Sequence, residues 1–175
     1  GDWNEELAPL VFFPCGAGQT VEQETRRAAQ ALSVSMRVCS TARNGLYSWA
    51  AQKGIPALLL ERGGNGRWTP EEVDADCEDV LRLMNHFGIR KEVFDAVPQT
   101  EITEAVYEEA PADGYWFPEV CAGQKVLKEA LLGRWKSSDG TQSCEVRARF
   151  AGRVLYETTA LGVRRNDPLI AYGTA

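Results

Sequence analysis

One stretch decides the fold class of this chain: Gly54-Ile55-Pro56-Ala57-Leu58-Leu59-Leu60-Glu61-Arg62-Gly63-Gly64. A short apolar run that is entered through Gly-Ile-Pro and ends in glycine is typical of a buried strand in an α/β sheet. Glu61 stands at the carboxyl end of this predicted strand, where open α/β sheets form their ligand crevices. The glycines that follow would let the backbone approach a bound molecule closely. A carboxylate in this position is a candidate general base.

Strands and helices alternate on both sides of that run. The apolar pattern predicts strands over 10–13 and 36–39, and helices over 21–32 and 46–52. Such an alternation implies a partial, mainly parallel sheet with flanking helices. The first part of the chain, residues 1–99, is therefore predicted to be α/β.

The clearest single element is a third helix. Thr69 is a candidate N-cap, Pro70 would occupy the first helical position, and Glu72 would complete a capping box. Six apolar residues then fall at helical spacing on one face: Val73, Cys77, Val80, Leu81, Met84 and Phe87. We predict that this face packs in the core.

The pattern changes at about residue 100 to short alternating runs with turn residues. Segments 114–133 and 152–173 look like two copies of one unit, separated by a turn signal at 137–140. Two hairpin-rich halves indicate a small all-β, barrel-sandwich-like domain over residues 100–175, similar to a lipoyl domain. Lipoyl domains carry their cofactor on a turn lysine, but the corresponding turn here, 150–153, has no lysine. A carrier role is therefore excluded, and a structural or lid-like role is left.

Charge and hydropathy limit the classes of partner. The net charge is −6 and the basic residues are scattered, which argues against nucleic acid or an anionic membrane as a partner. The apolar runs are far shorter than the ~20 residues of a membrane helix. There is no signal-peptide pattern, and a chain that begins with Gly is expected to have been cut from a longer one.

The cysteines predict the compartment. There are five, an odd number at wide spacings and without a C-x-x-C motif: Cys15, Cys39, Cys77, Cys121 and Cys144. Such a set is neither a disulfide framework nor a zinc ribbon. Buried free thiols in a reducing environment explain it best, and we expect a cytoplasmic protein.

A metal site cannot be assembled from these residues. A catalytic zinc needs about three nitrogen, oxygen or sulfur ligands from the protein, and the chain has a single histidine. That residue, His86, stands at the end of the third predicted helix, and we interpret it as a partly exposed helix-terminal side chain.

Three stretches together resemble the succinylglutamate desuccinylase/aspartoacylase family of zinc carboxypeptidase-like hydrolases. They are residues 55–64 with Trp68 and the helix behind it, residues 1–9, and the closing region 114–173. Residues 1–9 are similar to the family segment that directly follows the last zinc-binding histidine. The resemblance spans nearly the whole chain but only the latter half of a complete enzyme. It implies that residues 1–99 are the C-terminal half of the α/β hydrolase domain.

The resemblance also implies where the chemistry lies. The zinc ligands of the family, two histidines and a glutamate, would all precede residue 1, so zinc is expected in the full-length parent and none in this chain. Glu61 would be the catalytic general base, which takes a proton from water and passes it to the leaving amine. The competing interpretation is a solvated glutamate at a strand end, paired with Arg62.

Four further residues receive roles from the resemblance. Arg43, Asn44 and Tyr47 precede the strand of Glu61 and would bind the carboxylate or polar end of a substrate; an exposed polar loop is the alternative. Asp2 would support a zinc-binding histidine as a neighbouring carboxylate, and a frayed terminus is its alternative.

The function implied for the parent is a zinc-dependent hydrolase that cleaves the amide bond of an N-acyl amino acid or a similar small amide. This chain alone is expected to be inactive. Two alternatives stay open: a non-catalytic binding or assembly module with the hydrolase fold, and a carboxypeptidase rather than a deacylase. Missing central strands would expose apolar edges, so self-association into a homo-oligomer is a further expectation.

Overall fold

The computed structural model describes residues 1–174. In this part of the chain the helices are α1 (Gln19–Gln30), α2 (Leu46–Gln52) and α3 (Pro70–His86). The strands are β1 (Glu5–Leu7), β2 (Leu10–Pro14), β3 (Met36–Ser40), β4 (Leu59–Glu61), β5 (Thr100–Ile102), β6 (Glu104–Glu109), β7 (Gly114–Pro118), β8 (Lys125–Val126), β9 (Leu131–Ser137), β10 (Ser143–Arg147), β11 (Gly152–Thr158), β12 (Gly162–Val163) and β13 (Pro168–Thr174).

These elements belong to two compact units. The α/β unit comprises Pro9–Glu61 and Trp68–Ile102. The β unit comprises Gly1–Ala8, Arg62–Arg67 and the chain from Thr103 onward. The division into domains that the sequence predicts stays a prediction; the structure adds that the first eight residues pack with the C-terminal strands.

A four-stranded sheet organises the α/β unit, with the order β4-β2-β3-β5. β2 is parallel to β3 and β3 to β5, whereas β4 runs antiparallel to β2. Val11 and Phe13, which lie on the same face of the central strand β2, are fully buried in one cluster with Leu32 and Val34. The mixed α/β fold is confirmed. Over the three sheets, however, antiparallel pairing predominates, so the mainly parallel sheet with flanking helices is not.

The three predicted helices are present. α2 covers the predicted range 46–52, and α1 is shifted by two residues from its prediction. α3 begins as expected: Thr69 Oγ1 accepts a hydrogen bond from the Glu72 backbone N–H at 3.2 Å, and Glu72 accepts one from the Thr69 N–H at 2.8 Å. Within residues 1–174, no helix is both long and apolar enough to cross a membrane.

The apolar face of α3 corrects a prediction, because it faces solvent rather than the core. Val80 and Phe87 are 56% and 58% exposed, and Val73 is exposed too. The residues that α3 buries are Asp79 and Arg82. Asp79 accepts a hydrogen bond from a backbone N–H that follows α1, and Arg82 donates to a backbone carbonyl that follows α3. Helical periodicity thus located an apolar stripe, but four of its six residues are exposed, and only Leu81 and Met84 are half-buried.

The β unit consists of two antiparallel sheets. One has the order β1-β11-β13-β6, with β8 also pairing with β11, and the other has the order β10-β9-β7-β12. The internal repeat of the sequence is visible in this pairing. β7, β8 and β9 come from the first copy, and β11, β12 and β13 from the second. The short strand of each copy pairs with the first strand of the other, β8 with β11 and β12 with β7. Two copies of one hairpin plan thereby enclose one core, in which Trp116, Leu132 and Tyr172 are buried.

Close approach of the backbones of paired strands explains why glycine stands at two equivalent places of the repeat. Gly114 opens β7 and Gly152 opens β11. A methyl group on Gly114 would overlap the backbone carbonyl oxygen of Lys136, and one on Gly152 would overlap that of Gly173. Only a residue without a side chain fits where the paired backbones come this close.

The cysteines differ from the prediction of five buried thiols. Cys15, directly after β2, forms a disulfide with Cys39 of β3. The other three, Cys77, Cys121 and Cys144, are free and exposed. A disulfide is unusual in a reducing compartment, so the thiol argument for a cytoplasmic location is lost, and that location stays a prediction.

Candidate functional site

Glu61 is the last residue of β4, and the direction of β4 decides where it lies. Glu61 pairs with Leu10, the first residue of β2, and Leu10 pairs with Met36, the first residue of β3. The carboxyl end of β4 therefore lies at the edge of the sheet where β2 and β3 begin. Glu61 ends its strand, as predicted. This end does not lie with the carboxyl ends of β2 and β3, where a ligand crevice was expected, because β4 is antiparallel to β2.

The first residue of the chain lies next to the residue that follows Glu61. The amino group of Gly1 donates a hydrogen bond of 2.6 Å to the backbone carbonyl of Arg62. Further along, the Gly66 N–H donates to the Asp2 carbonyl at 3.2 Å. The glycine-rich segment after Glu61 is thus laid along the N-terminal residues, within the β unit.

The glycines of this segment serve that internal packing. A methyl group on Gly64 would come within 2.8 Å of the Glu5 carbonyl oxygen and within 3.2 Å of the Glu6 Cα. The neighbouring Asn65 N–H donates to the Glu5 carbonyl at 2.7 Å. The backbone that Gly64 admits is that of β1, and the interpretation that the glycines also let the backbone approach a ligand stays a prediction.

The three predicted substrate-binding residues lie at the other edge of the sheet. Arg43 and Asn44 are exposed and follow the carboxyl end of β3. Tyr47 is half-buried in α2, with its hydroxyl 2.7 Å from Ser40 Oγ. β2 separates the two edges by roughly 13 Å, the length of a five-residue strand. The structure does not bring these residues together with Glu61, and their role in binding a substrate stays a prediction.

Asp2 is exposed and lines a groove of the β unit, together with Trp3 and Asn4. No group of three or more His, Cys, Asp or Glu side chains in residues 1–174 is arranged to hold a metal ion. His86 is exposed at the end of α3, against the ring of Phe87, as predicted. Residues 1–174 therefore do not by themselves provide a ligand set for zinc.

A carboxyl group that the sequence analysis missed lies in β11. Glu157 is only 6% exposed and pairs across strands with Glu6 of β1. No described residue donates a hydrogen bond to its Oε2. Burial raises the pKa of Glu157 to about 7, and the charge of Glu6 adds to the rise. The signal that could have found it is a carboxylate that directly follows the apolar run Val154-Leu155-Tyr156.

The pH dependence of stability should report this group. With its pKa raised from 4.5 to about 7, folded Glu157 holds a proton that the unfolded chain has released. The free energy of unfolding therefore falls as the pH rises from 4.5 to 7 and is level above that. In Glu157→Gln the carboxyl group that titrates is replaced by an amide. Relative to the unmodified chain, the free energy of unfolding of this variant should be higher by roughly 2 kcal/mol more at pH 8 than at pH 5, once solvent screening is allowed for. Urea unfolding of both proteins at the two pH values measures the difference.

A matched variant tests the cause. Glu6→Gln leaves Glu157 buried but removes the neighbouring charge, so it should reduce the pH dependence only in part. If the free energies of unfolding of Glu157→Gln and of the unmodified chain differ by the same amount at both pH values, the raised pKa of Glu157 is contradicted.

Solved structures share the fold of this chain. The product-bound ectoine utilization protein EutE (DoeB) from Ruegeria pomeroyi is 20% identical, with a TM-score of 0.84 over 98% of this chain and 55% of that chain. A succinylglutamate desuccinylase from a Silicibacter species is 20% identical, with a TM-score of 0.80 over 99% of this chain and 55% of that one. A succinylglutamate desuccinylase/aspartoacylase from Rhodobacter sphaeroides is 21% identical, with a TM-score of 0.77 over 98% and 55%.

These neighbours confirm the resemblance at the level of the fold, because the identities are too low to carry more. The chain matches no protein-family model and no curated protein. It spans about 55% of the length of the three structures.

Proposed function

We propose that this chain is the C-terminal portion of a zinc-dependent amide hydrolase that acts on an N-acyl amino acid or a similar small amide. The fold supports this proposal, since solved structures with the same arrangement over nearly all of this chain are named succinylglutamate desuccinylase or aspartoacylase family proteins. The zinc would be held by residues outside this chain, where it would polarise the amide carbonyl and a water molecule.

One observation carries the proposal. In the family resemblance, the last zinc-binding histidine directly precedes the segment that begins with Gly1. The amino group of Gly1 lies 2.6 Å from the carbonyl oxygen of Arg62, and Arg62 is the residue after Glu61. Within the β unit, the segment that would follow the zinc-binding histidine therefore contacts the segment that follows the candidate base. A hydrolase of this kind needs a base and a metal that act on the same water molecule, and this contact supports the proposal.

Glu61 is the residue of this chain to which we assign chemistry. As a general base, its carboxylate would accept a proton from the attacking water and deliver it to the nitrogen of the leaving amine. No covalent intermediate is required. Arg43, Asn44 and Tyr47 are left out of this proposal because they lie at the other edge of the sheet.

The surface of the α/β unit supports the view that the chain is one portion of a larger domain. Most of the apolar stripe of α3 is exposed. β4, which carries two leucines before Glu61, is an edge strand within the described residues. Edges and faces of this kind are normally covered in a complete α/β domain. The uncovered part agrees with the 55% of the neighbours' length that the chain spans.

The test compares this chain with the full-length protein from which it comes. Zinc content by metal analysis and turnover of a panel of N-acyl amino acids are measured on both. We expect the full-length protein to bind one zinc and to release the amine, and this chain to do neither. A full-length protein that is free of zinc and inert would refute the proposal and favour a non-catalytic binding module. Turnover of peptides in place of N-acyl amino acids would reassign it to a carboxypeptidase.

A further inference from the structure

The β unit contains a groove of about 720 Å³ that no role has yet been given. It lies between the N-terminal residues 2–4, the start of β7 at 113–115, and the segment from β12 to the start of β13, residues 162–164 and 167–168. The N-terminal wall is held in place by backbone bonds: the Asp2 carbonyl accepts from the Gly66 N–H at 3.2 Å, and the Asn4 carbonyl accepts from the Thr159 N–H at 2.8 Å. The groove is therefore part of the folded unit and not a gap beside a loose end.

Two aromatic rings line this groove. Trp3 is 75% exposed and Tyr115 is 42% exposed. Large aromatic side chains usually bury most of their surface, and a ring left open beside a groove offers an apolar face to a ligand. The groove can thus hold an apolar body of small size.

The turn at 164–167 presents a positive charge to the groove. The Arg164 N–H donates to Asp167 Oδ2 at 2.7 Å, and the Arg165 N–H donates to Asp113 Oδ1 at 2.9 Å. Both carboxylates are thereby engaged with the backbone of the turn. The Arg164 guanidinium is exposed and has no ion-pair or hydrogen-bond partner among the described residues. A guanidinium on a turn that its neighbours hold rigid is suited to bind a carboxylate with two parallel hydrogen bonds.

A negative charge faces the same groove. Asp2 lines it and is exposed, and its carboxylate has no partner among residues 1–174. Asp113 and Asp167 line the groove as well, so a simple anion would meet Arg164 but also three carboxylates, whereas a simple cation would leave the Arg164 guanidinium without a partner. A ligand that carries both charges satisfies both side chains.

We propose that this groove binds a small zwitterion with an apolar body, of the class of an amino acid with an aromatic side chain. The carboxylate lies on Arg164, the ammonium group on Asp2, and the ring between Trp3 and Tyr115. This site lies entirely within the β unit, and all the residues assigned to it belong to this chain.

Three probes of one shape separate the contributions of the two charges. L-phenylalanine carries both charges, N-acetyl-L-phenylalanine only the carboxylate, and L-phenylalaninamide only the ammonium group. Binding to this chain is measured by calorimetry and by the shift of the Trp3 indole N–H signal in NMR spectra. L-phenylalanine should bind most tightly, since each lost charge-assisted hydrogen bond costs about tenfold in affinity.

Single substitutions then assign each contact. Arg164→Gln should weaken L-phenylalanine and the N-acetyl probe about tenfold and leave the amide probe unchanged, whereas Asp2→Asn should weaken L-phenylalanine and the amide probe. Arg165→Gln is the matched control, because Arg165 has the same charge and lies on the same turn but does not line this groove. It should leave all three affinities unchanged.

Several results would overturn the proposal. Equal binding of the three probes, an equal effect of Arg164→Gln and Arg165→Gln, or no binding of L-phenylalanine at millimolar concentration would each do so. Because binding is read on this chain without metal, failure here leaves the hydrolase proposal standing, and an inert full-length protein leaves this site standing.

Discussion

Replacing Glu61 by glutamine in the full-length protein is expected to lower kcat for an N-acyl amino acid about a thousandfold. The amide of glutamine keeps the size of the side chain but cannot accept the proton of the attacking water. General acid–base groups typically contribute between about a hundredfold and ten-thousandfold to a rate, and this reaction asks one group for two proton transfers. KM and zinc content should change little, because Glu61 is assigned neither to the substrate's ground state nor to the metal. Steady-state kinetics and metal analysis measure the three quantities.

The control for this substitution is Glu71→Gln, which makes the same chemical change at an exposed position of α3. Its kcat should equal that of the unmodified protein. If Glu61→Gln retains more than about a tenth of the activity, the effect is too small for a general base, and Glu61 is only a glutamate at the end of a strand.

Replacing Gly114 by alanine should cost this chain about 3 kcal/mol of unfolding free energy, at the upper end of the usual cost of overpacking. The added methyl group would overlap the Lys136 carbonyl oxygen and lie 2.8 Å from Trp135 Nε1. The carbonyl belongs to the backbone of β9, which pairs with β7 through Trp116 and its neighbours. No side-chain rotation relieves this overlap, so the strands must move apart at the edge of the core. Urea unfolding followed by tryptophan fluorescence measures the change.

Gly162→Ala provides the matched control, since Gly162 pairs with Tyr115, the residue next to Gly114. A methyl group on Gly162 meets no atom within 4 Å. Its stability should stay within about 0.5 kcal/mol of the unmodified chain, as for most surface substitutions. Equal losses of unfolding free energy in the two variants would mean that β7 and β9 lie farther apart at Gly114 than the structure shows.

Local signals in the sequence predicted the elements well where one segment contains all the interactions that form it. The start of α3 is an example, because Thr69 and Glu72 satisfy each other's backbone within one helical turn. The repeat in the C-terminal part is another. Its two copies have the same order of strands, and the glycines that open β7 and β11 occupy equivalent places.

Three features of the candidate site could not be predicted from local patterns. An apolar run gives the same signal in a parallel and an antiparallel strand, so the edge at which Glu61 lies was misassigned. The stripe of α3 indicated an amphipathic helix but not which face meets the sheet, and Asp79 turned out to be buried while Val80 is exposed. The pair formed by Glu6 and Glu157 depends on the register of strands far apart in the chain.

The sequence by itself determined the order of strands and helices, the mixed fold class, the resemblance to a hydrolase family and the choice of Glu61 as the candidate base. These follow from spacing, caps and residue types within short segments. Only the tertiary structure decided that β4 runs antiparallel, that the glycine segment after Glu61 lies along the first residues of the chain, and that Asp2 and Arg164 face one groove. Each of these is a contact between residues far apart in sequence, and its free energy comes from packing and pairing that no single segment contains.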